Sequence, residues 1–139
     1  MKQFQGTEGG FYVAVFKCAN RFQIVPDILV YGFDAPELSA DWLRQQVCGN
    51  FLSIVRPDIG RDAYLCCNDN AIIAGLGVNV YASWIYSNGN YGVCGNCVLG
   101  CDFDALHPTS EPDIFAAPAE WLRAYLERLG LLSRAYLVE

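Results

Sequence analysis

The chain has a single histidine, His107, and a single methionine in 139 residues. With one imidazole, a multi-histidine metal site or catalytic centre has no ligands to draw on, and a cysteine–histidine nucleophilic pair would have to use His107. That residue lies in a loop, is followed by Pro108, and has no nucleophile-elbow signature around it. Positive charge is sparse: nine Lys and Arg, scattered singly, stand against fifteen Asp and Glu, for a net charge of −6. A phosphate track needs clustered basic residues, so direct nucleic-acid binding is not expected. No apolar run is long enough to span a bilayer, so membrane association is not expected either. Residues 1–10 are polar and lack the apolar core of a signal peptide, which points to a cytoplasmic protein. The turn carboxylates Asp58, Asp62, Asp69, Asp102, Asp104, Glu111 and Asp113 lack the alternation of a calcium loop. Neither Gly75-x-Gly77 nor Gly92-Val93-Cys94-Gly95 has the ending of a phosphate loop. Internal repeats and low-complexity linkers are absent, and residues 1–139 read as one domain.

What the chain does have is apolar and aromatic bulk. Hydrophobic residues make up 53% and charged residues 17%, with three Trp, eight Tyr and eight Phe. Some of these rings must lie near the surface, where they suit a partner; the plain alternative is a well-filled core with partly exposed Tyr. Seven cysteines are an odd number, and Cys66 and Cys67 are adjacent. This is not the even, spaced pattern of a secreted disulfide framework, and most of them read as reduced, buried, small apolar side chains. Cys94-x-x-Cys97-x-x-x-Cys101 has zinc-ligand spacing, with His107 or the Cys66–Cys67 pair as the possible second half. Against zinc, Cys97 falls on an apolar strand, and adjacent residues on a strand point to opposite faces. A redox Cys-x-x-Cys would sit at a helix start, which this motif does not. No metal and no cofactor are therefore expected.

Taken in order, Phe11–Phe16 reads as a first strand, and 23–30 as a second at a sheet edge, because Pro26 interrupts it. Residues 35–48 read as a helix, with Pro36 and Glu37 in its first turn and Gly49 as its stop. A strand follows over 51–55. Residues 63–67 and 71–74 flank Asn68-Asp69-Asn70, which predicts a hairpin. Over 78–86 the pattern supports two readings. Alternating Val78, Val80, Ala82, Trp84 and Tyr86 suggest a strand that turns at Asn88-Gly89 into 91–93, while Val80, Tyr81, Trp84 and Ile85 form a helical stripe with Asn79 as N-cap. Cys97–Leu99 reads as a short buried strand. Residues 118–129 read as a helix with Trp121, Tyr125 and Leu129 on its buried side, and the tail 131–139 as a docked segment or added strand.

Three stretches resemble one family. Residues 43–55, with the paired Gln45-Gln46 and Gly49, resemble its helix and following strand. Residues 67–79, from Cys67-Asn68-Asp69-Asn70 to Asn79, and then Ala82, resemble its hairpin and next helix. Gly95-Asn96-Cys97-Val98-Leu99-Gly100 resembles its late strand. The family is the domain of unknown function (DUF) 3846, small proteins common in phages and conjugative elements. Ala71, Gly77 and Asn96 depart from its pattern, which has Gly, Pro and Asp there. The resemblance implies a helix capped by Asn79 and carries no established activity and no catalytic residues.

The expected fold is α+β, a single domain with a mostly antiparallel sheet of about five strands and two to three helices packed on it. The expected function is a non-catalytic binding protein of a mobile genetic element, taking a host protein or a small-molecule ligand. The alternative is a small cysteine-dependent enzyme or a zinc-stabilised interaction module. The expected binding surface is Trp84, Tyr86, Asn88, Asn90 and Tyr91, where aromatics and amides crowd one short region.

Overall fold

The strand Phe11–Phe16 organises the molecule, because its alternate residues enter two different cores. The computed structural model describes residues 2–23, 25–59, 62–89, 91–102 and 113–138. Within them the elements are β1 (Lys2–Gln3), β2 (Phe11–Phe16), β3 (Ile28–Phe33), α1 (Ala40–Val47), β4 (Leu52–Val55), β5 (Ala63–Asn68), α2 (Val80–Ser87), β6 (Cys97–Cys101), β7 (Ala117–Pro118), α3 (Ala119–Arg128) and β8 (Ala135–Leu137). The sheet order is β1-β8-β3-β2-β6-β5-β4, with β7 paired to β2. Every pairing is antiparallel except β3 with β8, which is parallel. The fold is a single α+β domain with helices packed on a mostly antiparallel sheet.

Side chains alternate across a strand with period two, so a sheet buried on both faces needs apolar residues at every position. β2, β5 and β6 meet this condition. Tyr12, Ala14, Phe16, Leu65, Cys67, Cys97 and Leu99 face α2 and α3 and pack with Ile85, Leu122 and Leu126. Val13, Val15, Tyr64, Cys66 and Val98 face the other way and pack with Leu43 and Val47 of α1 and with Ile114 and Ala116. The molecule is thus three-layered, with α1 on one side of the sheet and α2 and α3 on the other. The segment before β7 crosses close over β6: Cys101 bridges Phe115, and a Cβ on Gly100 would meet the Phe115 carbonyl oxygen at 2.5 Å. Only glycine fits there.

Several boundaries differ from the sequence reading. The first helix begins at Ala40, not Ala35: the Ser39 side chain accepts from the Trp42 N–H, and Glu37 instead bridges Phe115. The strand at 23–30 is displaced to 28–33, so Pro26 precedes it and costs no ladder bond. β3 is interior, flanked by β2 and β8. The hairpin at 63–74 does not form. β5 pairs with β4 and β6, and residues 71–74 coil into turns. Residues 79–86 hold a helix, as the resemblance implies, and 91–93 are not a strand. The tail adds β8 to the sheet. Tyr125 in α3 and Leu129 just past its end are buried, Trp121 is partly buried and packs against the core, and the buried side is completed by Leu122 and Leu126.

Candidate functional site

A mainly apolar concavity lies next to the last strand of the sheet, β4, and its walls follow from three local devices. The first is Asn68, buried at the end of β5. Its Nδ2 donates to the carbonyls of Val47 and Cys48, each at 3.3 Å, and its Oδ1 accepts from the Asn70 N–H at 2.8 Å. With both ends of the amide committed, the chain coils tightly: Ala74 N–H donates to Asn70 O at 2.9 Å and Leu76 N–H to Ala71 O at 3.0 Å. The coil buries Ala71 and leaves Ile72 and Ile73 76% and 87% exposed. Asparagine bonding its own turn is common; two adjacent isoleucines left in water are the unusual feature.

The second device is a pair of buried serines in α2. Ser87 Oγ accepts from the Tyr91 N–H at 2.8 Å, and Ser83 Oγ accepts from the Val93 N–H at 2.7 Å. Asn88 closes the helix in the left-handed region, at φ 55°, and Gly89 follows at φ 84°. The segment after α2 is thereby stapled back along the helix. Asn79 is the third device: fully buried, it caps α2 by accepting from the Ala82 N–H at 3.0 Å while its Nδ2 donates to Phe16 O at 2.7 Å and Gly95 O at 2.9 Å. One side chain ties the helix start to the end of β2 and to the turn before β6.

Between these walls is an open groove of about 470 Å³. Ser53, Val55 and Cys67 form its floor, residues 68–73 one wall, and Tyr86 with Gly92, Val93 and Cys94 the other. The size falls in the range of small-molecule sites, and the lining, mainly apolar with a few amides and a carboxylate, matches their usual make-up.

At the floor, the Cys67 Sγ lies 3.4 Å from the Sγ of the fully buried Cys97. The hydrogen bond to Cys67, together with burial, pushes the Cys97 thiol well above its ordinary value. Cys66 points to the opposite face, as adjacency on a strand requires, and burial followed by the neighbouring Cys67 pushes it up to about 12. Among the described residues no group of three or more His, Cys, Asp or Glu is placed to hold a metal ion. His107 lies outside the described residues.

Of the residues expected to bind, the structure brings Tyr86 to the groove wall. Trp84 faces outward on α2 at 37% exposure, Tyr91 is 71% exposed beyond the helix end, and Asn88 is the exposed helix cap. These three do not line the groove. Asn90 lies outside the described residues. The sequence reading passed over Val55, Ile72, Ile73 and Val93. The Ile pair following Asn-Asp-Asn is the available signal, but in sequence it is indistinguishable from the start of a strand.

Searches of family models, curated proteins and solved structures return no match for the chain.

Proposed function

We propose that this protein is a non-catalytic binding protein whose groove beside β4 takes a small, mainly apolar ligand or the apolar side chains of a protein partner. The observation that supports this most directly is the exposed Ile72–Ile73 pair on the rim of an apolar groove with amide groups at one end. Exposing two adjacent isoleucines forgoes burial worth about 1.5–3 kcal/mol for each side chain, a cost that an occupant of the groove would recover. The setting in a phage or conjugative element, with a host protein as partner, rests on the resemblance to the DUF3846 family.

The test has two arms. Native mass spectrometry of protein purified from bacterial lysate should show a bound small molecule that is absent from Val93→Trp, a substitution that fills the groove. A lysate pull-down should capture a partner with the wild-type chain and lose it with Ile72→Asp and Ile73→Asp combined. If the groove variants behave as wild type in both arms, the groove is not the binding site.

A further inference from the structure

Cys67 and Cys97 are directly opposite one another on neighbouring strands. The β5–β6 register pairs Leu65 with Leu99 and Cys66 with Val98, and its next step sets Cys67 against Cys97. Both side chains enter the core on the α2 and α3 side of the sheet. Facing Cα atoms of an antiparallel pair are about 4.5–5.5 Å apart, inside the 4.4–6.8 Å that a disulfide spans. With the sulfurs already 3.4 Å apart, a small side-chain rotation brings them to bonding distance without separating the strands.

The two thiols differ in access. Cys67 contributes to the groove floor, whereas Cys97 is fully buried beneath it. A small oxidant entering the groove therefore meets Cys67 first. The Cys97 sulfur already lies 3.4 Å from the Cys67 sulfur, so it is placed to attack a first oxidation product there, passing its proton to the departing hydroxide. Cys67 is largely buried, and the groove is its access to solvent; a groove-lining thiol with a second thiol beside it to resolve the product is an arrangement that supports reversible oxidation.

We propose that Cys67 and Cys97 form a thiol–disulfide pair oxidised through the groove by small hydroperoxides. The Cys67 thiolate attacks the terminal hydroperoxide oxygen. An S–O bond forms, the O–O bond breaks, and the departing alkoxide takes up the proton that Cys67 released. The Cys97 sulfur then attacks the Cys67 sulfur. The S–S bond forms, the S–O bond breaks, and hydroxide leaves as water with the Cys97 proton. In sum, two thiols lose two electrons and two protons, and the hydroperoxide is reduced to an alcohol and water, or to two waters from hydrogen peroxide. A low-molecular-weight thiol reverses the change by exchange at the groove-facing sulfur. The pair is separate from the Cys94-x-x-Cys97 motif, since it uses Cys97 with a partner across the sheet.

The experiment treats fully reduced protein with hydrogen peroxide, alkylates the remaining thiols and maps the peptides by mass spectrometry. The expected product has lost two hydrogens, has two fewer alkylatable thiols than the seven of the reduced chain, and yields a linked peptide pair joining Cys67 to Cys97. A melting temperature above that of the reduced protein should accompany it, because the link staples β5 to β6. In Cys97→Ala, shown to be folded by circular dichroism, oxidation should stop at a sulfenic acid on Cys67 that a dimedone reagent traps. A link between Cys94 and Cys97, over-oxidation of Cys67 without any link, or no oxidation in excess peroxide would each overturn the proposal. The wild-type mapping decides the matter even if the variant does not fold.

Discussion

Asn79 donates a 2.7 Å hydrogen bond from its side-chain nitrogen to the backbone carbonyl of Phe16, sixty-three positions earlier in the chain. The same amide caps α2 and holds the Gly95 carbonyl, so every polar atom of a fully buried side chain is used. Asn79→Ala removes the cap and leaves two carbonyls without their donor. A cap is worth about 1 kcal/mol and each stranded buried group about 1–3 kcal/mol, so a loss of at least about 3 kcal/mol is expected in denaturant unfolding. Asn79→Asp should be no better, because it keeps the acceptor and loses the donor. A loss as small as that of an exposed cap would show that Asn79 does not join these three segments.

The leucine and aromatic positions of α3 should separate clearly. Leu122 is fully buried under the sheet, and Leu122→Ala should cost about 2–5 kcal/mol. Trp121 is only partly buried and stacks on Tyr125 with ring centroids 5.4 Å apart. Trp121→Ala should therefore cost clearly less than the 3–5 kcal/mol typical of a buried tryptophan. Equal losses at the two positions, read from unfolding midpoints at constant slope, would place Trp121 in the core after all.

Tyr86 and Tyr91 flank the binding region in different ways. Tyr86 forms part of the groove wall, and Tyr91 stands outside it with only its backbone tied to Ser87. Tyr86→Ala should abolish capture of a partner or ligand with little change in melting temperature. Tyr91→Ala should leave both almost unchanged if the groove is the site. If instead Tyr91→Ala alone abolishes capture, the recognition surface lies at the helix end and not in the groove.

Alkaline pH should weaken the fold through its buried thiols. Burial holds Cys66 and Cys101 up to about 12, against 9.0 for a free thiol, so both stay protonated in the folded protein while the unfolded chain ionises. Their contribution is complete below about pH 9 and declines as pH rises toward about 12, by up to about 1.4 kcal/mol per pH unit for each thiol. Tyr125, raised chiefly by burial, adds to the same trend. Between about pH 8, below this window, and about pH 10.5, inside it, the unfolding free energy should fall less in Cys66→Ala than in the wild type. An unchanged slope would mean that Cys66 is not sheltered.

Much of the local structure was legible because it is written in short-range chemistry. Asn79 as a cap, Gly49 and Gly130 at helix ends, and the apolar runs of β2 and β6 need only neighbouring residues to be read. The opposite orientation of Cys66 and Cys67 follows from strand geometry alone. Where neighbours favoured two outcomes, as at 78–86, alternation and helical spacing coincided, and burial of Tyr81, Ala82 and Ile85 against the sheet decided for the helix.

Tertiary structure alone decided which strands meet. Asn68-Asp69-Asn70 has good hairpin chemistry, yet β5 pairs with β4 and β6 instead, and the residues beyond it are left to coil. That coil puts Ile72 and Ile73 on the rim of the groove. The placement of β6 between β2 and β5 sets Cys97 against Cys67, thirty positions away. Spacing along the chain carries no trace of such a contact. It arises because a sheet covered by helices on both faces gains most when its most apolar strands take the centre, and this places the groove, the thiol pair and the exposed isoleucines at one end of the molecule.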